Sequence, residues 1–130
     1  MIDLTETQRV KDAVEAAPEK FAEIIETSPL GICVTDENGL YVGMNQNYLK
    51  ITGYAREEML GKSFLMVVPE PNQDDLKEMH DQFIEIQIEI FEKFEILGKS
   101  GNRIRIDVDA GFSDKINDKA HKLTFIKAIL

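Results

Sequence analysis

The chain has little that would tie it to an oxidising compartment, a membrane or a nucleic acid. It carries one cysteine, Cys33, in 130 residues. A lone cysteine closes no internal disulfide, so nothing points to an oxidising compartment. The opening MIDLTETQ has neither a basic stretch nor an apolar stretch, so it does not read as a signal peptide. No run of about 18 apolar residues occurs, which removes a membrane-spanning helix from the expectation. Positive charge is scarce as well: 15 Lys and Arg stand against 24 Asp and Glu, for a formal net charge of -9. Such a surface repels phosphate backbones and anionic lipid heads. The expectation is therefore a cytoplasmic protein without nucleic-acid or membrane partners. There is no repeat, no low-complexity tract and no phosphate-cradling glycine loop.

What remains is ordinary. At 43% hydrophobic and 30% charged residues, the chain has the balance of a globular protein, and its length suits one core. Thr5-Glu6-Thr7-Gln8 has the form of a capping box, with Thr5 as the N-cap. Val10, Ala13, Val14 and Ala17 then recur at helical spacing, Pro18 interrupts, and Phe21, Ile24 and Ile25 continue to about Glu26. Residues 1–26 thus read as a helical lead-in and residues 27–130 as the main domain.

Gly31–Asp36 and Leu40–Met44 are short β-branched runs on either side of Asn38-Gly39. That dipeptide predicts a type I′ hairpin turn, with left-handed backbone at both residues. Asn45 stands at a helix N-cap position. Tyr48, Leu49 and Ile51 give about two helical turns, which Gly53 can end in the left-handed conformation. Pro69-Glu70-Pro71 breaks the chain, and a longer helix is predicted from about Asn72. Leu76, Met79, His80, Phe83, Ile86 and Gln87 share one arc of it. Ile84–Ile90 alternates with period 2, so the helix is expected to give way to strand near residues 87–90. Phe91–Leu97 reads as strand and Gly98–Gly101 as turn. Arg103–Phe112 alternates, with Ile104, Ile106 and Val108 inward and Arg103, Arg105, Asp107 and Asp109 in water. Ser113–Ala120 reads as a polar turn and Lys122–Leu130 as a last strand. Strands separated by a helical block imply an α+β fold with an antiparallel sheet.

The stretches SPLGICVTDENGLYVGMNQNYLKITGYAREEMLGKSF at 28–64 and FEKFEILGKSGNRIRIDV at 91–108 resemble the PAS domain family. Asp36, Gly39, Asn45, Gly53, Tyr54, Glu58, Gly61 and Gly101 match its pattern of strand, glycine turn, Asn, Gly-Tyr, acidic turn, glycine and late hairpin. Two departures stand out. Ala55 replaces the usual capping Ser or Thr, and the Asp-Ile-Thr that often follows the last strand is missing. The resemblance implies a five-stranded antiparallel sheet with short helices over one face and a cavity between them. It further implies a sensory and dimerisation module of a signalling protein, such as the input of a sensor histidine kinase or of a cyclic-dinucleotide enzyme. The expected partners are a second copy, through the lead-in helix and the sheet face, and a C-terminal output domain or signalling partner. No catalysis is expected from this chain, which reads as a fragment or a stand-alone adaptor.

The residues expected to line the cavity are Ile32, Val34, Met44, Tyr48, Leu60, Met66, Met79, Phe83, Phe94, Ile96 and Ile106, with Met59 and Phe64 beside them. His80 has two readings. PEP followed by HDQF resembles the haem-bearing oxygen sensors of the family, in which that His ligates iron. In this chain Phe83 replaces a Tyr, extra residues follow the PEP, and Phe94, Glu95 and Ile96 stand where an Arg is expected. The other reading is a packed histidine. A covalent flavin or cinnamoyl adduct is not expected, since residues 54–70 contain no cysteine, and Cys33 reads as a small buried residue. Glu57-Glu58 and Asp74-Asp75 suit helix starts rather than acid–base chemistry. His80 and His121, 41 residues apart, offer no metal-ligand spacing. The stripe of Val10, Val14, Ala17 and Phe21 suits either a seam between two helices or packing on the domain's own sheet.

Overall fold

The computed structural model describes residues 2–88 and 94–129. The elements run α1 (Leu4–Ala16), α2 (Phe21–Glu26), β1 (Gly31–Asp36), β2 (Tyr41–Met44), α3 (Gln46–Thr52), α4 (Arg56–Met59), α5 (Gln73–Ile86), β3 (Phe94–Leu97), β4 (Arg103–Ile116) and β5 (Lys119–Ala128). The five strands form one antiparallel sheet in the order β2-β1-β5-β4-β3. This is the α+β architecture expected from the sequence, with α3 to α5 over one face and α1 and α2 over the other.

Several local signals end up where their chemistry puts them. The Asn45 side chain caps α3 by accepting from Tyr48 N at 2.9 Å, and Gly53 ends that helix at φ 81°. Asn45 Oδ1 also accepts from Ile32 N, and its amide donates to the carbonyls of Ile25 and Leu30. One buried side chain thereby joins α2, β1 and α3. At α4 the expected capping hydroxyl is absent, and Glu58 closes the helix start from inside by accepting from Ala55 N at 2.9 Å.

Other expectations are corrected. Asp3, not Thr5, caps α1, accepting from Thr5 N and Glu6 N. The Asn38-Gly39 turn is not type I′, because only Gly39 has positive φ. The Asp36 carboxylate, accepting from Asn38 N and Leu40 N, holds the turn in another form. The left-handed pair sits instead at Asn117-Asp118, φ 52° and 57°, in the two-residue loop joining β4 to β5. β4 accordingly runs through Ser113–Ile116, which had read as turn, and β5 begins at Lys119 rather than Lys122. α5 ends at Ile86, with Gln87 left-handed. Ile86 is 54% exposed, and both Ile86 and Gln87 leave the buried arc. The first residues of the expected Phe91–Leu97 strand, and Glu89 and Ile90 before them, lie outside the described residues.

Alternation divides the sheet into two buried faces. Ile32 and Val34 pair across β1 and β5 with Phe125 and Leu123, and all four pack with Val10, Val14 and Ile25 of the helical lead-in. The stripe on α1 therefore lies on the chain's own sheet. Each such aliphatic or aromatic side chain contributes about 1.5–3 kcal/mol by leaving water. Covering this face also buries Asp109, which the alternation had placed in water. Lys11 reaches it at 3.1 Å, and the lysine stem crosses the sheet at Gly111, where an added Cβ would come within 3.0 Å of it.

Candidate functional site

The other face of the sheet is incompletely filled. A cavity of about 90 Å³ lies between the cavity-side rows of the strands and the short helices. Its floor is Cys33 and Thr35 of β1, Lys122, Thr124 and Ile126 of β5, and Ile106 and Val108 of β4. Phe94, Glu95 and Ile96 of β3 form one side. Phe64, Val67 and Val68, on and just after a 3-10 turn over Phe64–Val67, form another. Leu76 and His80 of α5, Asn72 just before it, and Tyr48 of α3 complete the walls. Glu95 turns its carboxylate outward, 3.3 Å from Arg103.

Of the residues expected in the cavity wall, Tyr48, His80, Phe94, Ile96 and Ile106 are there. Ile32 and Val34 are not, because strand parity places them on the opposite face under α1. Leu60 is 42% exposed beside α4 and points to solvent. Met44 and Met59 are buried in the surrounding core with Met66 packed against it, and none reaches the cavity. Met79 looks into a surface groove with Asp75 and Arg103. Phe83 is buried edge-on to Phe112, with Lys122 Nζ 4.8 Å from its ring centre. Thr35, Lys122, Thr124 and Ile126 were missed. Lys122 and Thr124 alternate with Leu123 and Phe125, which looks like a wet face until the covered outer face is known. The parity of Cys33 against Ile32 was the one signal that could have found them.

His80 is the centre of the polar end. It is buried, stacks on Phe64 with ring centres 5.1 Å apart, and shares a 3.0 Å hydrogen bond between Nε2 and Thr35 Oγ1. Its Nδ1 has no hydrogen-bond partner among the described residues, and the Asp81 carboxylate lies 3.8 Å away. Burial above all, then the charge of Lys122, pushes its pKa down to about 4, so the ring is neutral at pH 7. Nearby, Tyr41 and Tyr48 join their hydroxyls at 2.6 Å, and burial holds both well above their usual range. Burial likewise raises the Cys33 thiol to about 11, which makes it a poor nucleophile.

These residues do not fit a haem. Cavities for drug-sized ligands occupy ~300–1,000 Å³, far above the space here, and a porphyrin is no smaller than such ligands. His80 Nε2 is also engaged by Thr35. Among the described residues no group of three potential ligands could hold a metal ion, and no helix is long and apolar enough to cross a membrane.

A family model described as the PAS fold matches residues 19–120. Solved structures agree. A PAS domain from Desulfitobacterium hafniense superposes with a TM-score of 0.73 at 17% identity, covering 82% of this chain and 99% of that one. A PAS domain from a two-component sensor histidine kinase gives 0.68 at 14% identity, covering 88% and 98%. The PAS-B domain of Cycle from Drosophila melanogaster, with bound ethylene glycol, gives 0.65 at 14% identity, covering 76% and 99%. At these identities the likeness is one of fold.

Proposed function

The chain belongs to the PAS family, and from that premise we propose that it is a sensory module which takes a small molecule into the cavity above β1 and β5. The observation that carries this reading is a cavity whose wall mixes aliphatic side chains with a buried lysine and a buried histidine. A fully packed core has no use for that combination. The sheet supplies a route outward. The strands that floor the cavity carry α1 on their other face, tied by Lys11 and Asp109. A ligand that favours one sheet geometry over another shifts the placement of α1, provided it binds the two unequally. The chain itself performs no catalysis in this reading. Its output is a signalling partner, such as the kinase to which one of the similar PAS domains belongs. We place the protein in the cytoplasm.

A homodimer remains part of the proposal. With Val10 and Val14 covered within one copy, it would form on the outer side of α1, where Leu4 is 55% exposed, and on the uncovered part of the sheet. Sedimentation of wild type against Leu4→Glu tests it, and an unchanged monomer in both rejects it.

The small size of the cavity favours a second reading, a ligand-free interaction domain. Native mass spectrometry of the gently purified chain decides between the two. A bound small molecule, released on unfolding, supports the sensor. A bare mass, together with no shift in cavity methyl resonances across a panel of small metabolites, supports the interaction domain.

A further inference from the structure

One wall of the cavity is a stretch of chain that packs on the sheet but is barely fastened to it. Residues 65–79 run from the 3-10 turn over Phe64–Val67 into the first half of α5, and they bring Val67, Val68, Asn72 and Leu76 to the cavity. Among the described residues, no hydrogen bond or ion pair joins this stretch to a strand. Gln73 instead ties the stretch to itself, its Nε2 donating to the carbonyls of Leu65 and Val68, both at 3.2 Å. What holds it down is apolar burial, with Val67 and Val68 out of water.

Both ends are fastened at one place. Phe64 N donates to the carbonyl of Gly39 at 2.9 Å, and His80 has its 3.0 Å bond to Thr35. The two rings stack above the turn between β1 and β2, where a Cβ on Gly39 would come within 3.0 Å of Phe64. A compact loop whose ends meet, and whose body is held by apolar contact, can open as a unit about its neck.

The far side of the stretch meets the other edge of the sheet, since β2 and β3 are the two edge strands. A surface groove runs there between Asp75 and Met79 of α5 and Arg103 of β4. Asn72, Leu76, Phe94 and Glu95 line both this groove and the cavity. Leu76 and Phe94, the apolar pair among them, are each half-buried, and Glu95 is turned aside to Arg103. We infer that small molecules enter the cavity between α5 and β3, with Leu76 and Phe94 as the gate. Residues 65–79 swing as a lid about the neck of Phe64 and His80, and the bond from His80 to Thr35 is the latch. This rests on the reading that the cavity takes a ligand.

The chain carries its own reporter. Cys33, its one cysteine, lies in the cavity floor, so a thiol reagent that modifies the folded protein has entered the cavity. Labelling of the whole chain by methyl methanethiosulfonate at fixed pH, followed by mass, measures the rate. Leu76→Ala should speed it about tenfold or more, as a side chain lost from the gate lowers the cost of opening. Leu76→Phe should slow it. Thr35→Val, which removes the latch, should speed it about fivefold, the usual worth of one hydrogen bond. Val14→Ala, under α1, lowers global stability and should leave the rate within about twofold. If Leu76→Ala does not fold, Phe94→Leu takes its place with the same expectation. A rate indifferent to Leu76 and Phe94 overturns the gate, and one unmoved by Thr35→Val overturns the latch. A rate that rises in Val14→Ala as much as in Leu76→Ala means entry by global unfolding and overturns both. None of these outcomes depends on a resident molecule, so the route can fail while a ligand is found by mass, or hold while none is.

Discussion

The two faces of the sheet use the same strands and are built on opposite terms. Beneath α1, Ile32, Val34, Leu123 and Phe125 pack with Val10, Val14 and Ile25 in one buried cluster, and the ion pair of Lys11 with the buried Asp109 clamps helix to sheet. Beneath α5, the residues next in sequence, Cys33, Thr35, Lys122 and Thr124, border a cavity. The first face has the density that fixes a fold, at which single methylenes are felt. The second gives up some of that density and keeps polar groups out of water, which in a protein of marginal stability is tolerated where it has a use.

The widest gap between the faces should come from truncation. Phe125→Ala, at a residue with no exposed surface, is expected to cost about 3–5 kcal/mol. Urea unfolding measures it, and a loss below 1 kcal/mol would mean that α1 does not pack as described. The cavity face should reveal itself through pH. An unfolded histidine takes its proton near pH 6.5, but folded His80 resists until about 4. Between those values the unfolded chain binds more protons, so stability falls as pH drops through that window. From pH 7 to 5 the loss is about 2 kcal/mol, and His80→Gln should flatten it. A profile unchanged in the variant would show that the ring titrates normally.

The clamp offers a comparison of similar size. Lys11→Met leaves Asp109 buried without its cation and should cost about 2 kcal/mol, below the ~3–5 of a fully buried pair because Lys11 is partly exposed. Adding Asp109→Asn should recover most of the loss. No recovery would place the energy in the lysine stem over Gly111 instead. The smallest effect is the most diagnostic. Val34→Ile adds one methylene to the full face and should cost about 1 kcal/mol or more. Val108→Ile adds the same group beside the cavity and should be neutral or slightly stabilising. Equal costs would mean that the two faces are equally packed.

Much of this was readable in the sequence where a residue carries its own instruction. Asn45 caps, Gly53 terminates, and Gly31–Asp36 can only be a strand. The cavity was less readable because its residues depend on what lies across from them. Ile32 and Val34 looked like lining because β1 is buried on both faces, and hydrophobicity alone does not say which side has the space. Asp109 and Ser113 looked wet because the helix that covers them comes a hundred residues earlier. The Asn-Gly signal failed in a different way: Asp36 holds that turn with its own side chain, while Asn117 and Asp118 take up the left-handed pair.

The two-residue loop at Asn117-Asp118 has a consequence in time as well as in space. It joins the longest strands of the sheet, so β4 and β5 can zip from a contact between near neighbours, within microseconds once the turn is set. β1 reaches β5 only by closing most of the chain into a loop, which is slower and entropically dearer. The rung of Thr35 and Lys122 belongs to that late closure. The cavity is therefore among the last things the chain makes, and a molecule that fits it meets only protein that has finished folding.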